Sequence, residues 1–583
     1  MGSRSYIIIL LACLLLVNAA HGQAEPPAPI PSPTPFVADP KGIFPENAPG
    51  APNVAADYVS LDRSLPYLER VGVDAADQRA LTLAEAIEMA LDNNRDIEVA
   101  RKGRSIAGFE LKAARWFYEP RLTGQALYER STVPNLSIFS TNETTTQGSF
   151  VGNAGITGYI PRFGSVIRAD INNQRLTTNN PIAILSPQYN SSLGFTFTQP
   201  LFRGRGMDQP RRIIEIAKRN LEITDTQFRQ RSIDAVAAVE KAYWDLTYSL
   251  RNLQVQRDGV RDAKQQLEHN RRLVEEGQLA PIDIVAAETQ VANYEQAVYE
   301  ALNAVNIAEN LLKNLIAPDR DAEIWSEVLI PIEAVERPLP DVTLSEAMEN
   351  ALKLRPELEI NKGQKAINEV EQKFYKDQTR PQIDFVAGYS SAGVGGGINP
   401  NFSSPFCANS PEPAKCEAAQ QAQLQNFLQT IGGPGSVVPD IFSNKYPTYR
   451  IGVQFNLPLL GDKASRANLG KARVDAERLE VQREAIEQAI QVEVRNAIQN
   501  IRTAEARLRT ASIARENTQR QYESEQRKLD SGQSDIYRVL ERQTALTAAR
   551  SNELRARTEL NKAIAELNRA MGRTLTANNV EAR

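Results

Sequence analysis

The most regular hydrophobic pattern in the chain is a seven-residue spacing in two long segments without helix breakers. Residues 207–276 contain only Pro210, which a first helical turn tolerates. Six apolar residues of this segment fall seven apart: Val239, Leu246, Leu253, Val260, Leu267 and Val274. The second segment repeats the series with one charged exception: Val494, Ile501, Leu508, Arg515, Tyr522 and Leu529. The pattern predicts helices up to about 100 Å long that pack side by side along a narrow apolar stripe.

A second pattern has a period of two and predicts β-strands with one apolar and one polar face. It occurs in three places: Leu193, Phe195 and Phe197; Ile383, Phe385, Ala387 and Tyr389; Ile451, Val453, Phe455 and Leu457. These strands are about ten residues long, enough for a tilted strand to cross a bilayer, although a soluble hairpin would look similar. Residues 148–172 suggest an extra hairpin turning at 161–164, and the pattern does not show whether it crosses a membrane.

The chain is an internal tandem duplication. TLAEAIEMAL at 82–91 returns as TLSEAMENAL at 343–352, and later landmarks recur in the same order. Thr82 and Thr343 are expected N-caps with Glu three residues later. Four prolines mark the junctions between helices and strands: Pro120, Pro200, Pro381 and Pro458. The first repeat is assigned to 81–330, with strands in 121–200 and long helices in 207–317. The second takes 331–575, with strands in 382–457 and long helices in 462–571, and 576–583 form a tail.

The first 80 residues differ in composition from the rest. Residues 1–24 combine Arg4, a short apolar run and a small-residue cleavage site, which indicates a secretory signal peptide. Residues 25–80 form a Pro-rich extension of unassigned role. Lipidation of Cys13 is an open alternative. No later apolar run approaches the roughly 20 residues of a spanning helix. The formal net charge of −4 comes without a long basic run, so no nucleic-acid partner is expected.

The sequence offers little catalytic chemistry. It has two histidines, and His269 is expected to be solvated on a polar helix. We find no catalytic triad and no metal-ligand cluster, so no catalytic residue, metal or cofactor is predicted. GVGGGINP at 393–400 lacks the strand-to-helix context of a phosphate loop. Cys407 and Cys416 are expected to pair in an oxidising compartment, with two free thiols as the alternative, inside an external loop at 391–445.

A sheet that crosses a bilayer must close on itself, and the smallest such barrels have about eight strands. One chain offers four clear strands, at most six, so closure needs several copies. The repeated TLxEA starts, YEPRL and TRPQI before strands, and QPLFRGRG and LPLLGDK after them resemble the TolC family of outer-membrane efflux and secretion channels. So do EEGQLAPIDIVAAE and DSGQSDIYRVLERQ at the helix breaks. This resemblance covers about residues 80–572.

The resemblance implies an α+β membrane protein in the outer membrane with a long periplasmic extension. It implies a homotrimer with about four strands per chain, a twelve-stranded barrel and an α-helical coiled-coil barrel below it. Members of the family work as passive exit ducts with a periplasmic adaptor and an inner-membrane transporter. A periplasmic coiled-coil scaffold or adaptor is the alternative, and an envelope enzyme would need a nucleophile or metal cluster.

The resemblance also places a gate at the two glycine-containing helix breaks. Gly277 and Gly532 would end their helices in the left-handed conformation, and the chain would return antiparallel. Other predicted tip residues are Asp283, Asp535, Arg538 and Glu541. Arg538 occupies a position that is acidic in the family, so an Asp283–Arg538 pair is the hypothesis for a weak latch.

Overall fold

The structure is a computed structural model that describes residues 70–74, 76–135, 143–333, 338–402, 407, 410–458 and 461–580. The predicted signal peptide, Cys13 and most of the Pro-rich extension lie outside these residues. The chain divides into two units, one of residues 62–279 and 283–583 and one of residues 1–61 and 280–282. Among residues 1–61 and 280–282, only 280–282 are described, and they include the first residue of a helix.

The first repeat begins with a short strand and two helices, continues with four strands and ends with two long helices. Its elements are β1 (Gln78–Leu81), α1 (Leu83–Asn93), α2 (Arg95–Arg115), β2 (Arg121–Pro134), β3 (Thr144–Ile160), β4 (Ser165–Thr178), β5 (Leu185–Pro200), α3 (Gln209–Glu275) and α4 (Ile282–Ile316).

The second repeat keeps this order but has two long strands and an insert between them. Its elements are β6 (Val328–Pro331), α5 (Leu344–Leu354), α6 (Pro356–Gln378), β7 (Gln382–Ile398), α7 (Pro413–Ile431), α8 (Val437–Phe442), β8 (Tyr446–Asn456), α9 (Lys463–Asp530), α10 (Ile536–Ala570) and α11 (Thr574–Ala577). The short strands β1 and β6 pair in parallel, so they join the two repeats.

Local sequence explains where the short helices begin and end. The Thr82 hydroxyl accepts from the Glu85 N–H at 3.1 Å, and the Thr343 hydroxyl accepts from the Glu346 N–H at 3.2 Å. Each satisfies one of the N–H groups that a helix start leaves unpaired. Pro120 and Pro381 stand directly before β2 and β7, after α2 and α6 have ended. Pro200 is the last residue of β5, and Pro458 follows β8 by two residues.

The long strands form one antiparallel sheet in the order β2-β3-β4-β5-β7-β8. The turn between β3 and β4 lies at 161–164, as predicted. The sheet has six strands, whereas about four per chain were expected, because this hairpin pairs with β2 on one side and β5 on the other. The strands are 11 to 17 residues long rather than about ten.

The heptad stripes are the cores of the two long helical hairpins. In the first hairpin, Val239 and Leu246 are fully buried, and the apolar cluster continues through α4. In the second, Val494 and Ile501 are buried against α10. The predicted side-by-side packing of long helices is therefore confirmed, and each hairpin is held together by its own apolar stripe.

The insert between β7 and β8 is more ordered than the external loop predicted for 391–445. Residues 391–398 belong to β7, and α7 and α8 occupy part of the remainder. Cys407 and Cys416 are joined by a disulfide. Gly393 and Gly395 lie against the backbone of Val437 and Gly433, where a Cβ atom would collide. These glycines therefore let the insert pack directly on the strand.

Candidate functional site

The two faces of the six-stranded sheet differ in polarity. Residues paired across neighbouring strands share a face, so the pairing register shows to which face each side chain belongs. One face is mainly apolar on all six strands: Leu122, Tyr128, Phe150, Ile156, Ile167, Ile171, Phe195, Phe197, Ala387, Tyr389, Tyr449 and Ile451, with Arg130, Asn173 and Arg175 among its polar exceptions. The other is mainly polar: Thr123, Gln125, Asn153, Arg168, Asp170, Asn172, Thr196, Ser390, Arg450 and Gln454, with Leu127, Val151 and Val386 among its apolar exceptions.

The apolar face is not covered by the rest of the chain along its middle. Leu122 is 75% exposed, Tyr449 71% and Ile451 78%. Large apolar side chains are exposed on five of the six strands and half-buried on β7, and together they form a patch far larger than a soluble surface normally carries. The aromatic pair Tyr389 and Tyr449, with ring centroids 5.3 Å apart, is typical of the aromatic girdle near a membrane interface. The face is suited to lipid.

The polar face carries charged side chains that interact with polar neighbours. Asn172 donates to Asp170 at 2.7 Å, and the Arg168 guanidinium lies 3.6 Å from the same carboxylate. Arg450 lies on the same face in β8. These groups need water or polar partners, so the face is suited to line an aqueous passage.

The first long hairpin turns at Gly277 by a Schellman motif. Gly277 has a φ of +75°, the left-handed region in which glycine carries no steric cost. Its N–H donates to the Val274 carbonyl at 3.0 Å, and the Gln278 N–H donates to the Leu273 carbonyl at 2.8 Å. Both bonds satisfy carbonyls that the helix end would leave unpaired.

The second long hairpin turns in the same way. Gly532 has a φ of +73°, and its N–H donates to the Leu529 carbonyl at 2.9 Å. The Gln533 N–H donates to the Lys528 carbonyl at 2.8 Å. Asp535 then caps α10 by accepting from the Arg538 N–H at 3.0 Å. The predicted reversal at both glycines thus has one geometry.

The predicted tip charges lie at the start of α4 and of α10. The Arg538 guanidinium lies 3.2 Å from Asp535 in its own turn. Asp283 is the acidic residue of the first turn of α4, and Glu541 is exposed on α10. The Asp283–Arg538 pair stays a prediction.

His269 is not simply solvated, contrary to expectation. Its Nε2 lies 3.2 Å from the Asp530 carboxylate, so the pair connects α3 with the end of α9 near both turns. Periodicity alone could not reveal this contact, because it depends on how the two hairpins are placed beside each other.

Many contacts between the two hairpins are polar, whereas each hairpin is held together mainly by its apolar stripe. The inter-hairpin pairs include Lys562–Asp245 at 2.9 Å, Lys241–Glu566 at 2.5 Å, Ser551–Asn252 at 2.8 Å, Gln290–Thr544 at 2.9 Å and Tyr294–Thr547 at 3.1 Å. Periodicity did not predict these pairs. Where such polar groups are exposed, as in the Gln290–Thr544 pair, they can exchange partners with water at little cost, which an apolar stripe cannot.

A buried charge cluster fixes the junction between the repeats. Glu309 accepts from the Leu329 N–H at 2.7 Å and pairs with Arg70 at 2.5 Å. Lys313 donates to the carbonyls of Trp325 and Glu327 at 3.0 and 2.6 Å. Burial lowers the pKa of Lys313. Because these bonds hold β6 in place, the cluster is structural.

Within the residues that the structure describes, no helix is long and apolar enough to cross a membrane. In the same residues, no group of three or more His, Cys, Asp or Glu side chains is arranged to hold a metal ion.

A sheet with an uncovered apolar face and a polar face, continued by long helical hairpins, defines a membrane channel protein of the β-barrel type. The family model for outer membrane efflux proteins matches residues 157–317 and 412–573, more than half of the chain. The chain belongs to this family, and the two matched segments confirm the duplication. It is an outer-membrane efflux channel protein with a periplasmic helical extension, not an enzyme, and the expected TolC-type relationship is confirmed.

Solved structures show the same fold at low sequence identity. CusC, whose crystal structures concern folding and transmembrane channel formation, is 16% identical with a TM-score of 0.58 over 84% of this chain and 92% of its own. The CmeC outer membrane channel of Campylobacter jejuni is 13% identical with a TM-score of 0.58, over 84% and 86%. The open MtrE outer membrane channel of Neisseria gonorrhoeae is 15% identical with a TM-score of 0.55, over 85% and 89%. No curated protein sequence matches this chain at a significant level.

Proposed function

We propose that the chain forms, as a homotrimer, the exit duct of a tripartite efflux pump or a type I secretion system. A periplasmic adaptor opens its tip, and an inner-membrane transporter drives export. The observation that carries this proposal is the two-faced sheet on hairpins that end in two equivalent Schellman turns. The alternative, a periplasmic scaffold, leaves the lipid-suited face without a use.

The lateral order of helices within one chain supports self-association. α2 packs on α3, α3 on α6 and α6 on α9. Arg212 of α3 pairs with Glu371 of α6, and Asn368 of α6 donates to the Ala472 carbonyl of α9 at 3.0 Å. α2 leads into β2, and β8 leads into α9. The helical layer therefore ends at α2 and α9, and the sheet ends at β2 and β8. A closed ring would join the α2 and β2 edge of one copy to the α9 and β8 edge of the next.

Both helical edges carry exposed apolar side chains. On α2, Val99 and Ile106 are exposed seven residues apart, and on α9, Val474 and Val481 are exposed at the same spacing. Heptad spacing is the pattern by which one helix packs on another. We expect each α9 edge to cover the α2 edge of the next copy.

The trimer is tested by placing a charge in this edge. Val481→Asp should convert the detergent-purified trimer largely to monomer in size-exclusion chromatography with light scattering, because the interface would bury an unpaired carboxylate. Glu477→Asp, on the same helix, is the control. A Val481→Asp protein that stays fully trimeric contradicts this edge as the interface.

The difference between apolar packing within each hairpin and polar contacts between the hairpins supports a gate that opens by moving each hairpin as a unit. The apolar stripe keeps each hairpin rigid, while exposed contacts between the hairpins, such as the Gln290–Thr544 hydrogen bond, contribute only about 0.5–1.5 kcal/mol each. Binding of an adaptor can supply free energy of this size. The tip therefore combines rigid elements with weak links between them.

The gate is tested by conductance of purified trimers in planar lipid bilayers. Asp283→Asn combined with Arg538→Gln should raise single-channel conductance several-fold. The control is Arg520→Gln, which removes a charge that pairs with Glu516 on its own helix. Equal conductance of wild type and double variant would eliminate the latch, and absence of any conductance would contradict the channel itself.

The adaptor is tested by photo-crosslinking in intact cells. A photoreactive residue at the exposed Gln278 or Gln533 should capture one periplasmic adaptor, identified by mass spectrometry. A photoreactive residue at Glu417 in α7, far from the helix turns in the chain, should not. Capture of no adaptor at either turn, with the channel expressed and trimeric, counts against tip docking.

A further inference from the structure

We infer, on the basis of the proposed trimer, that all six strands of each copy belong to the membrane wall, so that three copies close a barrel of eighteen strands. The expected barrel had twelve. The difference is the β3–β4 hairpin, which the sequence pattern left unassigned.

Backbone pairing is continuous through the β3–β4 hairpin. β3 pairs with β2 from Arg121↔Thr157 to Pro134↔Thr144 and with β4 from Ile160↔Ser165 to Gln147↔Thr178. β4 continues the ladder to β5 from Val166↔Thr198 to Leu176↔Gln188. Neither side of the hairpin has a register shift. Taking it out of the wall would unpair two ladders, and each unpaired group costs several kcal/mol in hydrocarbon.

The β3–β4 hairpin also carries both surface patterns of its neighbours. On the apolar face, Ile156 of β3 and Ile171 of β4 are 52% and 47% exposed, like the apolar side chains of β2 and β8. On the polar face, Asn153 stands opposite Asn172. A hairpin that projected into water would have no reason to keep isoleucines on the face shared with lipid-facing strands.

The hairpin spans the same distance as the other strands. Its turn is tied to the start of α3, because Arg211 donates to the Gly204 carbonyl at 2.6 Å and to the Arg162 carbonyl at 3.5 Å. At the other end, the Thr146 N–H donates to Asn179 at 2.7 Å. β3 and β4 therefore run from the helix side of the sheet to its far side.

The two edge strands, β2 and β8, have the geometry needed to close the barrel between copies. β2 runs away from the helices and β8 runs back towards them, so the two edge strands are antiparallel. Every side chain of β8 and nearly every one of β2 is exposed in the single chain. An even number of strands per copy lets β8 of one copy pair with β2 of the next in the antiparallel sense, as in bacterial outer-membrane barrels.

The extra strands widen the passage at the membrane. With strands 4.8 Å apart and tilted by about 40°, a closed barrel of twelve strands has a backbone diameter of ~24 Å, and one of eighteen strands has ~36 Å. The barrel would then not limit substrate size. Size selection would fall to the helical tip.

Disulfide scanning between edges tests this arrangement. One cysteine replaces Gln454 of β8. A second replaces, one at a time, Thr123, Gln125, Leu127 or Glu129 of β2, or, as the matched set, Arg168, Asp170 or Asn172 of β4. All eight positions lie on the polar face. The starting protein, whose Cys407 and Cys416 are already paired, is the control and should give no crosslink.

We expect oxidation to give covalent trimers with at least one β2 position and with none of the β4 positions. Crosslinking through β4, or none through β2, overturns the inference. A second pair, Asn172→Cys with Ser192→Cys, tests whether β4 stays beside β5, and should form a disulfide within one chain. Failure of this disulfide also overturns the inference.

Cryo-electron microscopy of the wild-type trimer in nanodiscs gives a direct strand count, expected to be eighteen. A conducting trimer with twelve strands would contradict this inference and leave the proposed function intact. A protein that is monomeric and never conducts would remove the proposed function instead.

Discussion

The two long hairpins pack in the same way, except that one layer of side chains is apolar in the first hairpin and charged in the second. Gly277 and Gly532 are equivalent and 255 residues apart, and this offset aligns the two heptad series residue by residue. By this alignment, Arg515 is the equivalent of Val260, and Glu553 is the equivalent of Val298. In the first hairpin, both valines are buried in the apolar cluster. In the second, Arg515 and Glu553 form an ion pair at 2.6 Å.

The charged level is a network rather than a single pair. Glu553 also accepts from the Ser512 hydroxyl at 2.8 Å and from Arg557 at 3.0 Å. Its side chain is 12% exposed, whereas Arg515 is 40% exposed. A partly buried pair of this kind contributes less than an apolar layer of the same shape. The two repeats therefore share their turns and their stripe and differ at one layer, which is apolar in the first hairpin and charged in the second.

The β regions show the same division. The first repeat supplies four strands and the second supplies two strands with a disulfide-bonded insert. The added hairpin of the first repeat lies between β2 and β5, and external loops tolerate insertions, whereas a heptad stripe does not tolerate a shift of register.

The largest expected effect comes from placing the second hairpin's acid in the first hairpin. Val298→Glu buries a carboxylate with no arginine at the level of Val260, so we expect a loss of about 3–5 kcal/mol in unfolding free energy. Denaturant unfolding in detergent measures it. Asn303→Glu, on the exposed side of the same helix, is the control and should change stability by less than about 0.5 kcal/mol. Equal losses of stability in the two variants would show that position 298 is no more buried than position 303.

A smaller effect is expected from removing the ion pair between Arg515 and Glu553. Glu553→Ala leaves Arg515 and Arg557 without their shared partner, and their partial exposure limits the loss to about 1–2 kcal/mol. The double variant Arg515→Val with Glu553→Val imitates the first hairpin and should recover at least this loss. A double variant less stable than Glu553→Ala contradicts the equivalence of the two layers.

The turns should respond alike in both hairpins. Gly277→Ala and Gly532→Ala each force a side chain into the left-handed region, at a cost of about 1–2 kcal/mol. No atom lies within 4 Å of the added Cβ at either site, so backbone strain is the whole effect. Hydrogen exchange of the adjacent amides should increase equally at the two turns. A clear difference between them would indicate that one tip is restrained by contacts beyond its own turn.

The smallest effect concerns pH. Burial acts to raise the pKa of Glu553, but the Ser512 hydroxyl, Arg515 and Arg557 outweigh it, so the pKa is lowered in the folded protein. Its stabilising contribution is present above the unfolded pKa and is lost as pH falls through the folded value. Wild type should therefore lose slightly more unfolding free energy between neutral and acidic pH than Glu553→Gln. Parallel pH profiles of the two proteins would contradict this contribution.

The sequence by itself determined the elements that depend on local rules. Heptad spacing fixed the long helices, period-two alternation the strands, and glycine at left-handed positions the two reversals. Thr82 and Thr343 cap their helices because the capping residue and its partner are three positions apart in the chain. The family relationship followed from the order of these motifs.

Only the tertiary structure decided what depends on long-range placement. The β3–β4 hairpin joined the sheet because its backbone groups found partners on β2 and β5, which no local pattern encodes. His269 met Asp530, and Arg515 met Glu553, because helices far apart in sequence lie side by side. The physical reason is that hydrogen bonds and ion pairs depend on distances of a few ångströms between elements, whereas periodicity records only which face of an element is apolar.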